Sequence, residues 1–223
     1  MSSPALTVVR NEVDSDCEYH CDALASNVSG AREVDYPAGE RPNLKAVDGV
    51  VLTGSTAGVY ERDDRPWIDE QEELVRELVE REIPTLGVCF GHQIVNTALG
   101  GTVEHVGTTC RPVAVEFADD PLFEGVDPVV PVAHGDVVTE PAEEMAVIAS
   151  TDYYPAFATR HREAPLWTVQ FHPEFTADHR ERLASEYDWT EDEYGFEAMN
   201  ATRVFENFER IVAERTATPE TKR

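Results

Sequence analysis

Residues 84–93, Pro-Thr-Leu-Gly-Val-Cys-Phe-Gly-His-Gln, constrain this chain more than any other stretch. They read as a short buried strand, a tight turn and the start of a helix. Cys89 stands at the turn between Gly87 and Gly91, the Gly-x-nucleophile-x-Gly spacing of a nucleophile elbow with sulfur in place of a serine oxygen. The two glycines imply crowding, because a side chain at either position would meet the neighbouring strand or the helix. The bend lifts Cys89 out of the sheet and aims the first N–H groups of the helix at whatever the sulfur attacks. A helix amino terminus favours negative charge, which suits a thiolate. A buried core cysteine is the bland alternative. The catalytic reading therefore requires a base and an oxyanion hole from the rest of the chain.

Taken in order, residues 5–9 read as a first strand and residues 14–28 as a helix. Cys17, Cys21, Leu24 and Val28 share one face of that helix at i, i+4, i+7 and i+11. A metal site from Cys17, His20 and Cys21 lacks a second ligand pair at zinc-like spacing, so inward packing is the favoured reading. A second strand is expected over 31–36, followed by a loop over 37–42. Val50, Val51 and Leu52 form a strand apolar on both faces, and Gly54 follows at its carboxyl end, where sites form in open parallel sheets. Gly54 and Gly58 are not followed by Gly-Lys-Ser/Thr, so this is no phosphate loop. A helix opens at Arg65-Pro66-Trp67, with Ile68, Leu74, Val75, Leu78 and Val79 as its apolar stripe. The helix after the elbow should close at Gly100-Gly101. This order predicts an α/β fold with a doubly wound, mostly parallel sheet.

The second half changes character. Short β segments are expected over 111–117, 129–133, 145–149, 154–159 and 166–171, a small antiparallel meander attached to the parallel core. The last of them ends in Gln170-Phe171-His172-Pro173-Glu174. Extended backbone with Pro173 between them would set His172 and Glu174 side by side, a base with its orienting carboxylate. None of His20, His92, His105, His161 and His179 is followed by a carboxylate across such a proline. Helices are expected over 178–189 and 191–214. Residues 1–215 read as one domain, and residues 216–223 as a frayed tail.

Composition narrows the partners. The formal net charge is −26, and lysine occurs only at Lys45 and Lys222. Acidic residues run along the whole chain, so the charge belongs to a surface that repels nucleic acid and anionic membrane. Such a carboxylate-dense, lysine-poor surface resembles proteins that work in high salt, where screening relieves self-repulsion. No apolar run is long enough for a membrane span, and residues 1–4 lack the features of a secretory leader. Four cysteines fit no disulfide framework in a chain of 223 residues, and a nucleophilic thiol suits a reducing cytoplasm.

Gly87-Val88-Cys89-Phe90-Gly91-His92-Gln93, Gln170-Phe171-His172-Pro173-Glu174 and Leu52-Thr53-Gly54-Ser55 together resemble the class I (triad-type) glutamine amidotransferases over roughly residues 45–175. The resemblance implies a flavodoxin-like fold and hydrolysis of the side-chain amide of L-glutamine without a metal or organic cofactor. By position it makes Cys89 the nucleophile, His172 the base and Glu174 its orienter. It makes the backbone N–H groups of Gly54 and Phe90 the oxyanion hole, and Gln93, Ala133, His134 and Gly135 substrate-binding positions. The chain holds no synthetase domain, so the ammonia would pass to a separate synthetase, a GMP synthase-like arrangement being favoured by His134-Gly135-Asp136. Phe90 and His92 stand where GMP synthase elbows typically have Tyr and Met. The His92-Gln93 pair also occurs in other branches of the family, including carbamoyl-phosphate synthase subunits and γ-glutamyl peptidases, so a free-standing γ-glutamyl hydrolase is the alternative. A non-catalytic binding module on the same fold is a third, disfavoured by the intact Cys89, His172 and Glu174.

Overall fold

The computed structural model describes residues 4–217. Its main sheet has eight strands: β1 (Leu6–Arg10), β2 (Arg32–Asp35), β3 (Gly49–Leu52), β4 (Thr85–Val88), β6 (Glu116–Phe117), β8 (Met145–Ser150), β9 (Ala158–His161) and β10 (Leu166–Val169). They lie in the order β2-β1-β3-β4-β10-β9-β8-β6. The first five run parallel, and β9, β8 and β6 extend the sheet antiparallel. A separate two-stranded sheet pairs β5 (Thr102–Ala114) with β7 (Val129–Glu140). The expected antiparallel part is thus divided, half of it continuing the main sheet.

Alternation along the central strands sends side chains to two apolar layers. Val8, Val51, Leu86 and Val88 meet Leu24 of α1 (Tyr19–Ser26) and Val204, Phe205, Phe208 and Val212 of α5 (Arg203–Ala217). Val9, Val50 and Leu52 face Ile68, Val75 and Leu78 of α2 (Trp67–Glu80) and Phe90, Ile94 and Val95 of α3 (Phe90–Ala98). A third small cluster joins Cys110, Phe175, Trp189 and Phe196 to Leu183 of α4 (Arg180–Tyr187).

Several boundaries differ from the sequence reading, each for a local reason. Helix α1 begins at Tyr19 instead of residue 14, because the Glu12 carboxylate accepts the Val13 and Asp14 N–H groups and holds this stretch as turns. Strand β9 starts at Ala158, since Tyr154 turns its ring into the interior and its hydroxyl accepts the Val138 N–H at 2.6 Å. Strand β5 begins at Thr102, nine residues before the expected segment. Its first part is mostly exposed and polar, which hid it. The helix expected over 191–214 is only α5. Before it, Trp189 and Phe196 stack at 5.1 Å and Glu191 binds Arg180, which fixes an irregular path. Helix α5 includes Thr216 and Ala217, so the expected tail boundary falls inside a helix. Residues 218–223 lie outside the described residues.

Parallel strands bring the carboxyl ends of β1, β3, β4 and β10 to one edge. There the backbones touch. A Cβ on Gly91 would lie 2.5 Å from the Leu52 carbonyl oxygen, and one on Gly87 would strike the Gly91 carbonyl. Neither neighbour is a flexible side chain, so nothing can give. Gly91→Ala should therefore lower stability by about 3 kcal/mol, read as a lower denaturant midpoint; an unchanged midpoint would contradict this packing.

Candidate active site

Cys89 links β4 to α3 with φ 53° and ψ −105°, a conformation that L side chains rarely adopt. Such strain costs about 1–3 kcal/mol and persists only where surroundings enforce it. Here the Cys89 N–H donates to the Val169 carbonyl at 2.9 Å, while the Cys89 carbonyl accepts the His92 and Gln93 N–H groups. The elbow is thereby tied to β10 and to its own helix. The sulfur lies 3.9 Å from the Ala133 carbonyl oxygen.

His172 follows β10, next to β4 in the sheet. Its Nδ1 lies 2.6 Å from Glu174 Oε1, and its Nε2 lies 3.2 Å from the Ala133 carbonyl oxygen. The pair forms differently from the expected extended strand end. Phe175 N–H donates to the His172 carbonyl at 3.1 Å, closing a turn with Pro173 and Glu174 at its centre. Proline suits the second position of such a turn. Phe175 then stacks on the His172 ring at 4.5 Å and 12°. Both ring nitrogens face acceptor oxygens, the arrangement of a doubly protonated ring. Burial alone would strip the proton, but Glu174 and the Cys89 sulfur outweigh it and raise the proton affinity of His172 well above the ordinary 6.5. Glu174 is fully buried, and its Oε2 has no hydrogen-bond partner among the described residues.

Gly54 closes the third side. A Cβ there would stand 3.1 Å from His172 Cε1 and 3.5 Å from Cys89 Cβ, so the backbone of Gly54 lies directly against both. Phe90 is the first residue of α3, with its ring in the layer beneath. A cavity of about 270 Å³ opens beside Cys89, lined by Gln93, Ala133, His134, Gly135 and His172 among others. The structure thus brings every expected site residue to one place. Gln93 sits in the floor, with Nε2 donating to the Asp136 carbonyl at 3.4 Å and to Gln170 Oε1 at 3.3 Å. His134 donates from Nδ1 to the Asp136 carbonyl, and its Nε2 lies 3.0 Å from the Tyr153 hydroxyl. Burial pushes its proton affinity down to about 4. Buried His92 lies 2.7 Å from Thr168 Oγ1 and 2.9 Å from the Tyr154 hydroxyl; burial brings it down to about 3.

Other lining residues escape the sequence reading. His105 pairs with Asp136 at 2.8 Å and His20 with Glu12 at 2.6 Å, so two more histidines do carry carboxylate partners. Those partners come from distant positions, invisible to a search at strand spacing. Cys17 does not join His20 and Cys21: it faces the Tyr187 hydroxyl, while the Cys21 sulfur lies between Thr53 Oγ1 and His20 Nδ1. All four cysteines are free thiols.

Comparison with known proteins now decides the family. The sequence profile described as "Glutamine amidotransferase class-I" matches residues 19–185. The chain belongs to the class I glutamine amidotransferases. Among curated relatives, a GMP synthase [glutamine-hydrolyzing] of Streptomyces avermitilis is 36% identical over 130 residues, which are 56% of this chain and 23% of that protein. The chain spans about a quarter of the length of the curated relatives it matches. A glutamine amidotransferase of Thermotoga maritima has the same fold, with TM-score 0.71 and 23% identity over 96% of this chain and 98% of that one. So has a candidate GMP synthase subunit of Thermoplasma acidophilum, with TM-score 0.69 and 19% identity over 97% and 98%. No helix among the described residues is long and apolar enough to cross a membrane.

The histidines give this amidotransferase a defined pH profile of stability. Below 6.5 the unfolded chain takes up protons that folded His92 and His134 refuse, so stability falls as pH drops toward about 4. Above 6.5 the unfolded chain releases protons that folded His172 and His20 retain, so stability falls again toward pH 10. The melting temperature should peak near pH 6.5, and His92→Gln should flatten the acid side between 6.5 and 4. An acid side equally steep in that variant would contradict the assignment.

Proposed function

We propose that the chain hydrolyses the side-chain amide of L-glutamine, with Cys89 as nucleophile, His172 as general acid–base and Glu174 as its orienter. The observation that carries this reading is a strained cysteine at the elbow facing a buried His172–Glu174 pair with a 2.6 Å contact. The family membership supports it. His172 holds the proton of Cys89, so that a thiolate stands beside an imidazolium, and the sulfur attacks the amide carbon. The developing oxyanion is met by the N–H groups of Gly54 and Phe90, each such donor contributing roughly 3–4 kcal/mol. His172 gives its proton to the departing nitrogen, and ammonia leaves a thioester on Cys89. The same histidine deprotonates a water, which attacks the thioester; glutamate departs, and the thiolate beside a protonated His172 is restored. Gln93 and residues 133–135 of β7 border the part of the cavity suited to the amino-acid end of the substrate.

The ammonia would be consumed by a synthetase on a separate chain, and the likeness to GMP synthases favours a GMP synthase-like partner. One observation favours the second reading, a free-standing γ-glutamyl hydrolase. The cavity continues past His172 to Tyr19, Phe175 and Tyr187, aromatic walls that ammonia does not need.

Ammonia and glutamate release from glutamine and from γ-glutamyl dipeptides separates these readings. Glutamine should be cleaved, Cys89→Ala should be inactive, and Glu174→Gln should lose about 100-fold or more in kcat. Efficient cleavage of dipeptides with poor cleavage of glutamine would move the assignment to the hydrolase. The surface charge adds a condition of use. About 1 M KCl shortens the screening length from roughly 10 Å at 0.1 M to roughly 3 Å, and the melting temperature should rise with it. An unchanged melting temperature would contradict adaptation to high salt.

A further inference from the structure

One buried charged pair in the cavity has no part in the reaction just described. Glu12 lies beyond the end of β1 and His20 lies in the first turn of α1, and both line the cavity with Cys89 and His172. Their side chains are only 1% and 7% exposed, and His20 Nε2 sits 2.6 Å from Glu12 Oε2. Removing two charges from water is expensive, and a buried ion pair is weak as a source of stability alone. Its place in the cavity therefore asks for another explanation.

Glu12 is saturated with donors. Oε1 accepts Val13 N–H at 2.8 Å and Asp14 N–H at 2.9 Å, and Oε2 accepts Thr56 N–H at 3.0 Å. The Thr56 hydroxyl also donates to Oε1. One carboxylate thus joins the end of β1, the start of α1 and the loop after β3. That loop carries Gly54, two residues before Thr56. His20 reaches the same point from above. A Cβ on Gly54 would stand 3.4 Å from His20 Cε1, beside His172 Cε1 and Cys89 Cβ. The His20 and His172 rings meet edge to face at 5.9 Å.

We propose that Glu12 and His20 are a second histidine–carboxylate pair of the active site, a positioning pair that fixes the Gly54 loop and holds a permanent positive charge beside His172 and Cys89. The inference rests on the glutaminase reading for its purpose, since a fixed cation favours charge developing on sulfur and on the carbonyl oxygen. It also opposes a second positive charge on His172. The groups that face His20 are Glu12 from the loop after β1, Cys21 and Tyr19 from its own helix, and His172 from the turn after β10. Cys89 of the elbow lies beyond Gly54. Burial would drive the proton off His20, but Cys21 and Glu12 outweigh it; Glu12, at 2.6 Å, is the contact that matters, since the Cys21 thiol stands 3.7 Å away. Burial likewise opposes the charge on Glu12, and its hydrogen bonds with His20, Thr56 and Asp14 overcome this and bring it down to about 2.

Two measurements test the pair, and neither needs substrate turnover. The first is the ring nitrogen NMR of the whole protein labelled with ¹⁵N-histidine, followed from pH 5.5 to 8.5. His20 should remain doubly protonated throughout; a neutral ring at pH 7 would overturn the proposal. The second is the rate of iodoacetamide alkylation at Cys89 against pH, located by peptide mass, in wild type and in His20→Gln. Glutamine keeps a donor for Glu12 while removing the charge. The profile should move to higher pH by about 1, and alkylation on its rising limb should slow by up to about tenfold. A superimposable profile would reduce the pair to a structural clamp and overturn its role. Should His20→Gln not fold, the wild-type NMR still decides. A wild type that alkylates and titrates as described but releases no ammonia would refute the glutaminase reading separately.

Discussion

The contact between backbones at Gly87 and Gly91 governs the rest of this molecule. Leu52 and Gly91 approach within a distance that leaves no room for a Cβ. Gly87 likewise lies under the Gly91 carbonyl. With those approaches enforced, the chain between β4 and α3 must turn abruptly, and Cys89 takes up a left-handed conformation. Close packing of β3, β4 and β10 then leaves the sulfur, the Gly54 backbone and the His172 ring around one small volume. The arrangement proposed for catalysis is a consequence of how tightly three strand ends meet.

Around that volume the protein sorts its histidines by their neighbours. His92 and His134 are buried among hydroxyls and carbonyls with no carboxylate within reach, and both stay neutral. His172 and His20 are equally buried, but each touches a carboxylate at 2.6 Å and retains its proton. One residue type thus serves as an uncharged element in His92 and His134 and as a charged element in His172 and His20. The difference lies wholly in the partner, since desolvation pushes all four in the same direction.

What is legible in the sequence follows the range of the interactions. The elbow, the His172–Glu174 pair and Gly54 are short local patterns, and the apolar runs at Val8–Val9 and Val50–Leu52 declare strands covered on both sides. Glu12 with His20, and His105 with Asp136, are meetings of segments brought together only by the finished fold. Tyr154 reads as a strand residue because it is aromatic and β-prone. Its hydroxyl instead serves Val138 and His92, which no pattern in its neighbourhood announces. The polar first half of β5 and the irregular stretch before α5 are hidden for a related reason. One is held by pairing with β7, the other by the Trp189–Phe196 stack, and neither has a periodicity of its own.

The central claim is that Cys89 attacks the side-chain carbonyl carbon of glutamine. The most direct measurement is covalent labelling with a glutamine analogue carrying a diazoketone in place of the amide, followed by peptide mass mapping. The account predicts one adduct, on Cys89, whose formation slows in the presence of glutamine and fails in His172→Ala. Labelling of Cys17, Cys21 or Cys110 instead, or labelling of Cys89 indifferent to glutamine, would contradict it.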